Sequence, residues 1–197
     1  MKLTIIGASG HGKVVADIAL KCGYTDIFFL DDNKSLKNCG RWPVIGGTET
    51  SFEGDIFVAI GNATLRREFF EKFSNMNIVT LIHPNAVIAE DVIIGKGSVV
   101  MAGAVINSSS IIGEGCIINT CSSVDHDCFI GNYTHISVGA HLCGTVNVGE
   151  TSWISAGSCV INNISICSRT IIGAGSVVIN DILSPGTYIG IPAKKLK

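Results

Sequence analysis

From residue 88 to residue 178 an aliphatic side chain recurs at every sixth position: Ile88, Ile94, Val100, Ile106, Ile112, Ile118, Val124, Ile130, Ile136, Leu142, Val148, Ile154, Val160, Ile166, Ile172 and Val178. A helix repeats at about 3.6 residues and a free strand at 2, so neither explains this spacing. An unbroken period of six specifies a parallel β-helix built from hexapeptide units. Gly follows the aliphatic residue at 95, 113, 131 and 149, and a second column holds Gly103, Cys121, Gly139, Gly157 and Gly175. Both columns step by 18 residues, so three hexapeptides complete one triangular turn and residues 18 apart stack at ~4.8 Å. The glycines are read as corner residues, where tight turns demand positive φ. The rhythm stops at Ser184-Pro185-Gly186, and residues 188–197 are expected to fold back as an exposed tail.

The preceding stretch obeys a different rule. An apolar strand over residues 2–6 runs into the glycine turn Gly7-Ala8-Ser9-Gly10-His11-Gly12. Residues 14–21 then read as a helix with Val14, Val15, Ile18 and Ala19 on one face. Residues 27–30 and 56–60 are two more buried strands, ending in Asp31-Asp32 and Gly61-Asn62, and residues 65–73 form a second amphipathic helix. Strands alternating with helices predict a small parallel α/β, Rossmann-like unit of three strands. Residues 33–54, with Gly40, Pro43, Gly46 and Gly47, read mostly as loop. The expected domains are therefore residues 1–80, the α/β unit, and residues 81–197, the β-helix with its coda.

Composition narrows the function. Of 197 residues, 47% are hydrophobic and 15% charged, which marks a globular chain. A formal net charge of −2 gives no general attraction to nucleic acid or anionic membrane. No apolar run reaches membrane-spanning length, and the opening residues MKLTIIGASG read as strand and turn rather than signal peptide. The eight cysteines contain no CxxC pair and read as small buried thiols in a reducing cytoplasm.

Chemistry concentrates at Ser122-Ser123-Val124-Asp125-His126-Asp127. With Val124 inward, His126 falls two residues on, at a corner of the prism. Gly144 follows Leu142 by the same two residues and stands 18 from His126, on the next level of that edge. An imidazole and a main-chain N–H unobstructed by a side chain are what thioester acyl transfer requires: a base, and a donor for the developing oxyanion. Asp127 or Asp125 is available to hold the imidazole in one tautomer. His135 projects outward before Ile136, while Ala156 and Ala174 stack into a shallow channel along one edge. Lys194, Lys195 and Lys197 cluster in the coda, where phosphates would meet them. In the first unit the glycine turn offers N–H groups to an anion, and Asp31 and Asp32 stand where they would accept from ribose or base. The spacing is not the GxGxxG dinucleotide fingerprint, so a nucleotide diphosphate fits better than NAD.

These motifs, with Ala59-Ile60-Gly61-Asn62, Leu81-Ile82-His83-Pro84, Asn119-Thr120-Cys121 and Gly190-Ile191-Pro192-Ala193-Lys194, resemble the two-domain sugar acetyltransferases of the sialic acid O-acetyltransferase type over the full length. The likeness is greatest to the bacillosamine-pathway type, which acetylates the 4-amino group of a UDP-linked 4-amino-4,6-dideoxy sugar. The resemblance implies a left-handed parallel β-helix, acetyl-CoA as co-substrate with no metal, and a homotrimer with active sites shared between neighbouring prisms. It makes His126 the general base, Asp127 its orienting partner where the family often has Glu, and Gly144 the amide that binds the thioester oxygen. His135 would contact acetyl-CoA; Ala156, Ser165 and Ala174 would line the pantetheine channel. Ser9, Gly10, His11, Asp31, Asp32 and Gly61 would hold the UDP-amino-sugar. O-acetylation of a sialic-acid-like sugar is the alternative within the fold. A metal-dependent hydratase of the γ-carbonic anhydrase type is an alternative from another class, although His126, His135 and His141 lack its ligand pattern.

Overall fold

The computed structural model describes residues 1–196. The chain divides into two compact units, Met1–Pro84 and Asn85–Lys197, just beyond the boundary that the change of period suggested.

The first unit is a five-stranded sheet with two helices. The strands β1 (Lys2–Ile6), β2 (Asp26–Leu30) and β5 (Asp55–Val58) pair in parallel, β1 lying between the other two. Leu3, Ile5, Phe29, Leu30, Ile56 and Val58 are fully enclosed, and consecutive residues such as Phe29 and Leu30 are both buried, as in a parallel sheet covered on both faces. The segment expected to be loop adds two strands, β3 (Asn38–Cys39) and β4 (Trp42–Gly46), giving the order β3-β4-β2-β1-β5. They escaped detection because β3 is a two-residue arm and β4 carries Pro43, a residue that argues against a strand in sequence.

Helix α1 spans Gly10–Lys21 and so begins inside the glycine turn, earlier than the periodicity indicated. Gly12 permits this. A Cβ there would run into the Gly7 carbonyl and the Phe29 ring, so only glycine lets the helix settle on the sheet. The buried face is Gly12, Val15, Ala16, Ile18 and Ala19; Val14, expected inside, is exposed. Helix α2 (Ala63–Lys72) is capped by Asn62, whose Oδ1 accepts the Leu65 N–H at 3.0 Å. Its Arg66 is buried and donates to the carbonyls of Ile60 (2.7 Å) and Gly61 (2.9 Å). Among the described residues, the enclosed Nε2 of His11 has no hydrogen-bond partner. Burial, reinforced by the Arg66 charge, holds the His11 pKa down at about 4.

The second unit is the β-helix. Its inward column from Ile106 to Val178 is at most 3% exposed and makes one continuous core. The first face contains Val87–Ile88, Val105–Ile106, Ser123–Val124, His141–Leu142, Cys159–Val160 and Val177–Val178. The second runs from Ile93–Ile94 to Ser165–Ile166. The third includes Ile117–Ile118, His135–Ile136, Trp153–Ile154 and Thr170–Ile172. Every pairing between these rungs is parallel and offset by 18 residues, as in Val124↔Leu142 and Ile136↔Ile154.

The corners revise the reading of the glycines. The left-handed residue is always the third after the inward one, at every corner from Gly97 (φ 66°) to Gly175 (φ 67°). That position takes Tyr133, Thr145, Thr151 and Arg169 as well as glycine, so most of it carries no sequence signature. The column Gly95, Gly113, Gly131 and Gly149 is not left-handed at all. A Cβ on Gly131 would lie 2.5 Å from the Glu150 nitrogen of the next turn, so glycine is required there by close approach of rungs. Inside the corners, buried hydroxyls tie successive levels together: Ser110 Oγ donates to the Asp125 carbonyl (2.6 Å) and accepts the Cys128 N–H (3.1 Å).

The coda is more ordered than a tail. Gly186–Ile189 adds a further parallel strand to the third face, and Lys194–Lys195 returns antiparallel to it. Lys197 lies outside the described residues. Of the eight cysteines, all free, only Cys39, Cys116 and Cys128 are buried. Cys22, at the end of α1, and Cys143, Cys159 and Cys167, on the coil, are partly buried, and Cys121 is exposed. No helix among the described residues is long and apolar enough to cross a membrane.

Two stability measurements test this account. Gly131→Ala is expected to cost about 2–3 kcal/mol by forcing rungs apart. Gly139→Ala, with open space around its Cβ and only its left-handed φ of 60° to strain it, should cost less, about 1–2 kcal/mol. Equal melting temperatures for the two variants would contradict the close-approach explanation. Separately, between pH 6.5 and about 4 the unfolded chain takes up a proton that native His11 refuses. Stability is therefore lost as pH falls through that window, and His11→Asn should flatten that part of the denaturation-midpoint profile.

Candidate active site

His126 sits on the corner between the first and second faces, in the turn after Ser123–Val124. Its Nδ1 lies 2.7 Å from Asp127 Oδ2. A carboxylate only accepts, so Nδ1 carries the proton and Nε2 presents its lone pair. Asp127 occupies the left-handed corner position (φ 58°), a conformation that Asp tolerates better than most residues. One residue thus shapes the turn and holds the ring. Asp125 is otherwise committed: its Oδ1 accepts from Asn107 Nδ2 (2.7 Å) and from the His126 N–H (2.9 Å). These two bonds, Asn107 first, keep the Asp125 carboxyl below its usual range. The hydrogen bond that His126 donates to Asp127, with the charge of Asp125 behind it, raises the His126 pKa above its ordinary value.

Gly144 lies one rung away on the same edge. The His126 ring covers it so closely that a Cβ at 144 would fall 2.5 Å from Nε2. Absence of a side chain at 144 is what admits the imidazole. The direction of the Gly144 N–H follows from its peptide. The Cys143 carbonyl in that same unit accepts from the buried Cys128 thiol at 3.3 Å, so it points into the prism. In a trans peptide the N–H then points outward. At comparable corners a side chain caps this amide, as Asn119 Oδ1 does for Thr120 (2.8 Å). Among the described residues the Gly144 N–H has no acceptor. Cys143, the obvious thiol neighbour, is half-buried beside Cys159, and burial pushes its pKa up, so it is a poor nucleophile.

The remaining residues expected at the acyl donor site are spread over other surfaces. His135 is on the third face, Ala156 and Ala174 are exposed on the corner between the third and first faces, and Ser165 is exposed on the second face. Within one chain they do not converge on His126. Asn119, which the sequence reading left without a role, places Nδ2 3.0 Å from His135 Nε2. Because its Oδ1 takes the Thr120 N–H, the amide orientation is fixed and His135 Nε2 must accept. Trp153 stacks on His135 with centroids 5.7 Å apart and planes 3° from parallel. His141, on the first face, pairs with Ser123 (2.8 Å).

In the first unit, Ser9, Gly10, His11, Asp31, Asp32 and Gly61 all follow the carboxyl ends of parallel strands, the edge where open α/β sheets bind ligands. Both acidic residues also have partners within the fold. Asp31 accepts from the Ala8 N–H (2.8 Å) and the Asn33 N–H (2.9 Å), so it ties the glycine turn to the neighbouring loop. Asp32 accepts from both the N–H (2.7 Å) and the hydroxyl (3.0 Å) of Thr48. Both carboxylates are thus partly occupied by the fold's own donors, and the donor to Asp32 lies in the stretch expected to be loop. Beside Asp31 lies a cleft of about 260 Å³ lined by Lys34, Lys37, Leu36, Val44 and Gly46. Its two lysines supply positive charge that the sequence reading had sought only in the coda.

Comparison with known proteins agrees with this division. Residues 2–73 match the PglD N-terminal domain, and residues 79–108 match the bacterial transferase hexapeptide (six repeats). The UDP-N-acetylbacillosamine N-acetyltransferase of Bacillus subtilis (strain 168) is 36% identical over 110 residues, a match that spans about half (51%) of that protein and of this chain. The acetyltransferase domain of PglB from Neisseria gonorrhoeae FA1090 in complex with acetyl coenzyme A is 43% identical, covering 99% of this chain and 98% of that one with a TM-score of 0.94. PerB from Caulobacter crescentus in complex with CoA and GDP-perosamine is 36% identical over 100% of this chain and 98% of that one, at a TM-score of 0.93. The chain belongs to the PglD-type family of two-domain hexapeptide-repeat sugar acetyltransferases.

Proposed function

We propose that this protein transfers an acetyl group from acetyl-CoA to the amino group of a nucleotide-linked amino sugar, specifically a UDP-linked 4-amino-4,6-dideoxy sugar, in the cytoplasm. The observation that carries the reading is the pairing of a carboxylate-held imidazole with an outward, uncapped main-chain N–H on adjacent rungs of one edge. The amine attacks the thioester carbonyl carbon while His126 Nε2 removes its proton. The Gly144 N–H receives the developing oxyanion. Collapse of the tetrahedral intermediate breaks the C–S bond, and the imidazolium returns its proton to the departing thiolate. No covalent acyl-enzyme is needed.

The N-terminal unit binds the nucleotide in this reading, with Ser9, Gly10, His11 and Gly61 facing the ligand edge and Asp31 and Asp32 using their remaining acceptor capacity. His135, Ala156, Ser165 and Ala174 serve acetyl-CoA. Their separation from His126 within one chain favours a homotrimer, in which the His126 edge of one protomer meets the CoA-binding surface of its neighbour.

His126→Ala is expected to lower kcat by about 10²–10⁴-fold with little change in acetyl-CoA affinity. Unaltered turnover in a thiol-release assay with a UDP-4-amino-sugar would remove the base from His126. Only neutral His126 accepts a proton, so kcat/KM should rise with pH through a pKa displaced upward by Asp127. In Asp127→Asn that acid limb moves to lower pH. The amine's own titration is common to both proteins, so a coincident pair of profiles would exclude Asp127 as the orienting group.

A further inference from the structure

We propose that Trp153 is a binding residue for the acyl-CoA co-substrate, forming with His135 the flat wall on which the pantetheine arm lies. The inference rests on the acetyl-CoA reading above and adds a residue to it.

Trp153 is 46% exposed, although an indole of this size ordinarily gains most by burial. It is not a loose surface side chain. Stacking on His135 one rung away fixes its plane, and the Asn119 amide fixes the ring of His135 in turn. His135, Trp153 and Ile171 occupy one outward row of the third face, one per rung, in the register His135↔Trp153↔Ile171. The row therefore runs along the prism axis for about two rung spacings, ~10 Å. The adjoining corner is built low on the same levels: Ser155, Ala156 and Gly157 on one, Gly173, Ala174 and Gly175 on the next. A tall row of two stacked rings and Ile171 beside a corner of small residues forms a step parallel to the axis. An extended chain that alternates amide groups with apolar segments fits such a step, and the pantetheine arm has that chemistry. The indole offers it an apolar face together with an N–H donor for an amide carbonyl.

The chain has two tryptophans, Trp42 and Trp153, so intrinsic emission reads the contact directly. Titration of the wild-type protein with coenzyme A is expected to change emission saturably, and the change should vanish in Trp153→Phe. Trp153→Ala should raise the KM for acetyl-CoA roughly tenfold, the loss of one aromatic contact, with kcat nearly unchanged. Phe at 153 should restore most of that affinity. Calorimetry that detects coenzyme A binding to the wild type without any emission change, or a change that survives in Trp153→Phe, would overturn the role of Trp153 alone. No calorimetric binding of coenzyme A to the wild type would overturn the acetyl-CoA reading itself. If Trp153→Ala lowered the molar mass in light scattering together with affinity, the indole would be a subunit contact and the proposal would fall.

Discussion

Adjacent turns of this β-helix bond to one another only if each contributes 18 residues, and that single constraint locates everything catalytic. The Asp125 N–H reaches the Leu142 carbonyl at 3.0 Å and the Thr145 N–H reaches the His126 carbonyl at 2.8 Å. Between those two bonds, His126 and Gly144 have no freedom to drift apart. An insertion of one residue between them would turn the inward column outward and break the pairing of imidazole and amide together. The site owes its precision to backbone register rather than to a network of side chains, which suits a reaction that needs one base and one oxyanion donor.

The prism also shows how one set of corner rules serves both structure and chemistry. Every corner from Gly97 to Gly175 uses a left-handed residue, and at the catalytic corner that residue is Asp127, which then grips the ring beside it. Buried thiols and hydroxyls stitch the levels from inside. At the catalytic edge that stitching, through Ser110 and Cys128, sets the peptides preceding His126 and Gly144. Cys128 therefore has a structural reason to be a thiol, and no reactive role need be sought for it.

The sequence disclosed the β-helix because its core demands a side chain that admits little substitution at each sixth place. Its catalytic pair was legible for the same reason: once the inward column is known, His126 and Gly144 fall on one edge by counting. The left-handed corners were legible only along the column Gly103, Gly139, Gly157 and Gly175; elsewhere Tyr133 and Arg169 satisfy the geometry as Gly97 does, at a local energetic cost. Nor was the purpose of Gly95, Gly113, Gly131 and Gly149, because a glycine needed for close approach looks the same as one needed for φ. In the first unit, β3 was hidden by its brevity and β4 by Pro43, and with them went Thr48, the partner of Asp32. Arg66 left a faint signal, a cation spaced four residues from buried Phe70 on the inner side of α2. Trp153 left none, because an outward aromatic on one rung acquires meaning only when its stacked neighbour is seen.

The central claim, that the bare α-carbon of Gly144 is what seats the base over the oxyanion amide, is tested most directly by kcat of Gly144→Ala in a double-mutant cycle with His126→Ala. A methyl at 144 should displace the imidazole and lower kcat by about 10²-fold or more, with the double variant no slower than His126→Ala alone. Full turnover by Gly144→Ala, or losses that simply multiply, would mean that the two residues do not act as one unit.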